Sequence, residues 1–491
     1  MKTPAAALLP PIAVERNLPQ PLHRQVYDAY RKAIEEGSLR GGQKVPSTRT
    51  LAVELGVSRI PLLRAYSRLS AEGYFYSRVG AGTVVCTRPP EKRKSSNTNV
   101  RARRDGATVQ LWTRYPATTT AIEDLTAWRS TGAFSVGQIA FEHFPLRTWN
   151  ALVTRHSRRI SARSLDYGNS LGSRYLREAL AVYLRTARAV KCEPDQIMLV
   201  SGSQQALDIS VRALLNAGDR VWVEDPGYPF ARGVLELNGC DVIPVPVDDE
   251  GLNVAAGLRQ SPAARAAIVS PSHQFPLGVT MSNARRRQLL DWAARSRAWI
   301  IEDDYDSEYR YEGKPVPSLQ GADKSSRVIF VGTFSKLLFP SLRLGFVVIP
   351  ADLVDRFISV RAVMDIAPPS PLQGVVADFI GEGHFSRHIR RMRALYAERR
   401  AKLVQTLSAG LPLASEISPG AAGMYLTVTL ADIRDREIAA RANQQRLSLV
   451  PLSPTYVADT RRQGFILGFG GVPVSDIPQA VRKLRGLVGH S

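Results

Sequence analysis

Four short runs of this sequence hold side chains that could do chemistry together. Lys336 stands in GTFSKLLFPSLRLG, directly after an apolar run, with Arg343 in the same segment. Asp303 and Tyr305 stand in EDDYDSEY, again just after an apolar run, with Asp304 the rival for the carboxylate's role. Tyr228 lies in EDPGYPF, bracketed by Pro and Gly. SGSQQALDI sets Ser203 and Gln204 at the start of a helical pattern, where free N–H groups favour a phosphate. A lysine amine attacks an aldehyde, and a carboxylate holds a pyridine nitrogen protonated. An arginine fork matches a phosphate. One lysine, one carboxylate, two phenols, an arginine and a phosphate nest make a set suited to pyridoxal 5'-phosphate.

Such residues need strands to bring them together. QIMLVSG, DRVWVED, AAIVSP, AWIIEDD, RVIFVGT and LGFVVIP, between 196 and 350, are nearly continuous apolar runs, as expected of strands covered on both faces. Helical patterns at 203–216 and 283–296 separate several of them. This alternation predicts an α/β region with a mostly parallel sheet, whose ligand lies at the C-terminal strand ends. Residues 375–491 have longer helical patterns and weaker strand runs, a smaller lobe. The pair His384 and His388 has metal-like helical spacing but no further ligand pattern, so a solvated helix face is expected and no metal.

The first fifth of the chain reads differently. The 491 residues carry 65 Lys+Arg against 44 Asp+Glu, a net charge of +21. Residues 1–108 hold 19 Lys+Arg against 8 Asp+Glu, about half of that excess. A basic module of this kind points to an anionic partner. Residues 21–37 have helical periodicity, Ser47 precedes a short helix over TRTLAVEL, and Ser58 precedes a third over RIPLLRAYSRLSAEG. Two short helices joined by a tight Gly turn are a helix-turn-helix signature. YFYSRVGAGTVV reads as a hairpin around Gly80-Ala81-Gly82. Its GAGT run lacks the surrounding βαβ unit that a dinucleotide-binding loop needs. Residues 87–108 are basic and poor in apolar side chains, a tether.

The composition, 44% hydrophobic and 22% charged, excludes a disordered or fibrous chain. Three scattered cysteines argue against a disulfide framework. No apolar run approaches the ~18 residues of a membrane helix. The Pro-broken N-terminus reads as a flexible tail, and a cytoplasmic location is expected.

VPSTRTLAVELGVSR, LRAYSRLSAEGY and RVGAGTVV together resemble the winged helix-turn-helix of the GntR family. The resemblance implies that double-stranded DNA is the partner. It places Arg49, Ser58, Arg59 and Arg64 at phosphates or base edges and Gly82 at the wing tip. Ile60-Pro61 stands where the family usually has small polar residues. The later motifs resemble fold-type-I aminotransferases. SHQFPLG, EDDYDSEYRY and TFSKLLFPSLRLGF are similar to the MocR subfamily of GntR regulators, which join both units. That likeness implies an α+β winged helix-turn-helix linked to an α/β fold-type-I domain. It divides the chain into a tail at 1–17, a DNA-binding domain at 18–86, a basic linker and lead-in at 87–135, and an aminotransferase-like domain at 136–491. Within that domain the large lobe covers about 165–370 and the small lobe about 375–491.

The resemblance also implies roles. Lys336 is the Schiff-base lysine, Asp303 pairs with the pyridinium nitrogen, and Tyr305 bonds the ring 3-hydroxyl. Tyr228 stacks on the ring. Ser203, Gln204 and Arg343 hold the phosphate, with Ser335 or Thr333, and Tyr167 reaches the partner subunit's cofactor in a homodimer. Two departures bear on catalysis. Where related aminotransferases carry a carboxylate-binding arginine this chain has Ile466, with Arg461 and Arg462 nearby, and Leu277 replaces a small hydroxyl residue. A regulator that senses the cofactor, a B6 vitamer or an amino compound is therefore expected. An aminotransferase with an accessory DNA-binding unit is the alternative, and a residual half-transamination stays open.

Overall fold

The computed structural model describes residues 14–15, 18–78, 82–87, 132–160, 165–313, 315–410, 415–418, 420–458 and 462–489. The chain divides into two compact units, Met1–Trp112 and Thr113–Ser491.

In the first unit, α1 (Leu22–Glu35), α2 (Thr48–Glu54) and α3 (Arg59–Ala71) are followed by a hairpin of β1 (Phe75–Arg78) and β2 (Gly82–Val85). The Ser47 side chain accepts from Thr50 N and so caps α2. Ser58 occupies the same position on α3, but its side chain makes no capping bond. Val26, Tyr30, Leu51, Leu62 and Leu69 form a core, with the Tyr30, Tyr66 and Phe75 rings packed edge to face. The small core is closed by the hairpin, whose strands pair from Phe75↔Val85 to Arg78↔Gly82.

The second unit is built on an eight-stranded sheet. Its strands are β3 (Ile197–Val200), β4 (Arg220–Asp225), β5 (Asp241–Asp248), β6 (Gly251–Leu252), β7 (Ala266–Val269), β8 (Trp299–Asp304), β9 (Val328–Thr333) and β10 (Gly345–Val348). Their order is β3-β10-β9-β8-β7-β4-β5-β6. The run β9-β8-β7-β4-β5 is parallel. β10 runs antiparallel to both β3 and β9. The C-terminal ends of β3, β4, β7, β8 and β9 thus open on one edge, beside the N-terminal end of β10.

Each of the six apolar runs contains one strand. The seventh, β5, was not anticipated: Pro244 and Pro246 interrupt DVIPVPVD, and proline lacks the N–H that a ladder needs. β5 lies near the sheet margin, where only the short β6 follows it. Helices cover the sheet, among them α4 (Ser203–Leu214), α5 (Pro229–Leu237) and α6 (Asn283–Ser296). A second sheet, β11 (Glu416–Ile417), β12 (Tyr425–Thr429), β14 (Gly464–Gly468) and β13 (Val450–Pro451) in that order, packs with the 27-residue α7 (His384–Gly410) in the C-terminal part. Phe134, in the segment read as lead-in, is fully buried in this unit's core. Most of the expected linker, 88–131, lies outside the described residues. No described helix is long and apolar enough to cross a membrane.

His388 departs from the expected solvated face. It is 5% exposed, packs against Phe144, and burial pushes its imidazole down to about 4. His384 instead meets Glu382 and Arg387 at the surface. Leu, Phe and Tyr residues at the core spacing of α7 carry His388 inward with them.

Candidate functional site

At the strand-end edge of the second unit lies a cavity of about 230 Å³. Its walls include Ser203, Gln204, Tyr228, Asp303, Tyr305, Thr333, Ser335, Lys336 and Arg343, from five separate stretches of chain. The fold explains the convergence. β3 leads into Gly202 and α4, β4 into the Tyr228 loop, β8 ends at Asp304, and β9 ends at Thr333 ahead of Lys336.

Burial pushes the Lys336 ammonium down, against the attraction of Asp306. Its Nζ donates to Gly137 O at 3.3 Å. Gly137 is at φ +79, and a Cβ there would stand 1.9 Å from the same Nζ. Only glycine leaves the lysine its place. Asp303 is 7% exposed and its Oδ1 has no hydrogen-bond partner. Burial, reinforced by the charges of Asp304 and Asp306, pushes its carboxyl up to about 7. Such an acid lacks a cation to hold it ionised. Asp304, the rival, points elsewhere: its carboxylate is 2.7 Å from Arg188 Nη2, both side chains 5% exposed.

The phosphate-like end is open to the helix. Ser203 is the first residue of α4, and Gly202 before it, at φ +98, would bring a Cβ within 3.3 Å of the Arg343 guanidinium. Arg343 donates from Nη2 to Ser201 O at 2.6 Å. Thr333 Oγ1 accepts from Ser335 N at 3.2 Å and donates to Ser335 Oγ at 3.1 Å. Gln204 Oε1 is buried and unpartnered. Burial, with the charge of Asp303, pushes the Tyr228 phenol up. The lysine, the partnerless acid and this hydroxyl-rich helix start fit pyridoxal phosphate in chemistry and in steric room.

The cavity also contains groups that sequence reasoning missed. Asp306, Ser270, Phe275, Met424, Tyr425 and Gly137 line it. Tyr425 comes from β12 and Gly137 from the lead-in, and no local spacing links them to Lys336. Behind the cavity, Ile466 is fully buried with Phe275, Tyr425, Val450, Leu452 and Tyr456, an apolar cluster. Arg462 pairs with Glu416 at the surface, and Arg461 lies outside the described residues. Leu277 is half-buried and its N donates to Gln274 Oε1. Tyr167 is 73% exposed.

In the first unit, Arg49, Ser58, Arg59 and Arg64 are exposed on α2, α3 and the turn between them. Arg59 Nε donates to Thr48 Oγ1 at 3.2 Å, which ties the start of α3 to that of α2. Gly82 begins β2 opposite Arg78, and the residues between, 79–81, lie outside the described ones. A groove between α3 and the hairpin is lined by Lys44, Ser67, Ser70, Ser77 and Thr83, hydroxyls and a cation that helical or strand periodicity alone did not flag. Exposed Ile60 and Leu63 stand on α3, where apolar groups suit thymine methyls.

Residues 22–85 match the bacterial regulatory proteins of the gntR family, and residues 133–465 match aminotransferase class I and II. The chain is 40% identical over 475 residues to a Rhizobium meliloti protein named probable rhizopine catabolism regulatory protein MocR, covering 96% of this chain and 95% of that one. It is 29% identical over 466 residues to the pyridoxine biosynthesis transcriptional regulator PdxR of Corynebacterium glutamicum, covering 94% of each. Among solved structures, a kynurenine aminotransferase from Pyrococcus horikoshii superposes with a TM-score of 0.70 at 28% identity, over 76% of this chain and 94% of that one.

Proposed function

We propose a function from one premise: the chain belongs to the MocR subfamily of GntR transcriptional regulators, a winged helix-turn-helix joined to a fold-type-I pyridoxal phosphate domain. In our reading it is a cytoplasmic homodimer that senses pyridoxal phosphate, a B6 vitamer or an amino compound in the C-terminal unit and answers on DNA with the N-terminal one. The observation that carries this is the buried, partnerless Oδ1 of Asp303 in one cavity with a desolvated Lys336. We assign the DNA-binding domain to 18–86, the linker and lead-in to 87–135 and the sensing domain to 136–491.

Pyridoxal phosphate, when bound, supplies an aldehyde that condenses reversibly with primary amines. The chain's residues do the rest. Lys336 offers an amine whose charged form burial disfavours, which favours its use as a nucleophile. Asp303 would pair as a carboxylate with the protonated ring nitrogen, an attraction that would offset its burial. Tyr305 donates to the ring oxygen and Tyr228 covers the ring face. Ser203, Gln204, Ser335 and Arg343 hold the phosphate, aided by the N–H groups that open α4. The exposed Tyr167 is free to enter the partner's site. On the DNA side, Arg49, Ser58, Arg59 and Arg64 contact phosphates or base edges, and Gly82 lets the wing turn.

Ligand binding then biases the dimer, and the linker passes that bias to the half-site spacing of the two winged helices. Linkage requires that DNA change ligand affinity by the same factor. The relative named for pyridoxine biosynthesis supports a B6 signal. A residual half-transamination is supported by Lys336 and Asp303. Sustained turnover is opposed by Ile466, whose apolar cluster offers a substrate carboxylate no cation. The test is DNA affinity and bending on the chain's own upstream region, with and without pyridoxal phosphate. Identical values overturn the sensing reading, and rapid multi-turnover transamination overturns the regulator-only reading.

A further inference from the structure

His273 lies just behind the cavity and none of the roles above uses it. It is 2% exposed. Its Nδ1 is 3.0 Å from Asp306 Oδ1 and 3.3 Å from the Tyr305 hydroxyl. Its Nε2 is buried with no hydrogen-bond partner. The ring is enclosed: Tyr425 lies 4.8 Å away between centroids, and a Cβ on Gly423, at φ +79, would stand 1.9 Å from Cε1.

The proton's position on this ring follows from the contacts. An N–H at Nε2 would be a buried donor without an acceptor, which is unfavourable. An N–H at Nδ1 meets a carboxylate. Nδ1 is therefore a donor, and it cannot also accept the Tyr305 proton. Tyr425 donates to Gln274 O at 3.1 Å. The Tyr305 proton is left with His273 O at 2.9 Å, Tyr425 Oη at 2.9 Å, or an oxygen in the cavity. Against a neutral carbonyl and a neutral phenol, an anionic oxygen in the cavity wins that proton.

We propose that His273 is a positioning residue for the cofactor cavity: locked by Asp306 as an Nδ1 donor, it occupies that carboxylate and leaves the Tyr305 proton for a ligand oxygen. Without the His273 N–H, Asp306 becomes an open, charged acceptor beside Tyr305 and draws the proton away from the cavity. The groups that face this pair are Asp306, Tyr305 and Tyr425 around the imidazole, with Asp303 beside the phenol and Lys336 within reach of Asp306's charge. The inference rests on the cofactor reading.

The experiment follows the visible absorbance of the full-length protein, loaded with pyridoxal phosphate, against pH. A donor to the ring oxygen favours the deprotonated form, so its loss raises the titration midpoint. His273→Asn keeps an N–H near the Nδ1 position, whereas His273→Gln moves it toward Nε2. His273→Gln is expected to raise the midpoint by about one pH unit, a tenfold change in proton affinity, and His273→Asn to leave it within a few tenths. Tyr305→Phe in the Gln background should add nothing further. Equal shifts for Asn and Gln, or none for either, overturn the proposal alone. No visible band in the wild type overturns the cofactor reading itself. Histidine-selective 15N labelling of the unmutated protein tests the same point without a variant: a protonated Nε2 at His273 overturns the proposal.

Discussion

The two units solve the handling of charge in opposite ways. The winged helix-turn-helix sets its arginines on the surface, on helix starts and turns, where water solvates them until a phosphate arrives. The aminotransferase-like unit buries ionisable groups at and beside its cavity, so that Lys336, Asp303 and Glu224 are all pushed away from their ordinary values, Glu224 up to about 8. A surface site depends on ionic strength and on single side chains that act almost independently. A buried site depends on partners, because each group's charge state is set by its neighbours. The first unit is suited to long-range attraction, the second to discrimination.

The contrast can be broken most sharply at Lys336. Lys336→Ala should abolish the visible band of the protein supplied with pyridoxal phosphate and any effect of the cofactor on DNA binding. Basal DNA affinity, measured by fluorescence anisotropy, should stay. A loss of basal affinity would mean that the two sites are not separable. Gly137→Ala should nearly match it, because the new methyl takes the position of Nζ, and cofactor titration reads this.

Arg59→Ala should act on the other unit only. It should cost about 1–3 kcal/mol in DNA binding and lower the salt slope by about one if the contact is to phosphate, with cofactor binding unchanged. Ser47→Ala should cost about 1 kcal/mol of the first unit's stability through the lost cap, read as a thermal shift.

The smallest effect is a slope. A carboxyl pushed up to about 7 in the fold, against about 4 unfolded, means that the folded state holds more protons between those values. Stability of the ligand-free second unit should therefore fall as pH rises from about 4 to about 7. Asp303→Asn should remove part of that slope. Glu302 and Glu224, also raised, keep the rest. An unchanged slope in Asp303→Asn would mean that Asp303 is ionised without the cofactor.

Local rules made most of the architecture legible. Ser47 and the Gly turns mark helix ends through short-range hydrogen bonds, and apolar runs of four to six residues mark strands that are covered on both faces. Those signals need only neighbours in sequence. They also carried the sites' reactive residues, since strand ends collect polar groups. They failed at β5, where Pro244 and Pro246 hide a strand that the sheet margin tolerates, and at His388, whose polar type hid a core position on α7.

By itself, then, the sequence determined the two-unit plan, the strand ends and the identities of Lys336, Asp303 and Tyr305. The tertiary structure decided what surrounds them: that Asp303 and not Asp304 faces the cavity, that Gly137 yields room to the lysine, and that Asp306 and His273 stand behind Tyr305. Charge state, steric room and proton direction depend on groups that lie as much as 199 residues apart in the chain yet within hydrogen-bond reach in the fold. No local pattern encodes such a distance, because it is closed only when the sheet and its flanking lobe pack.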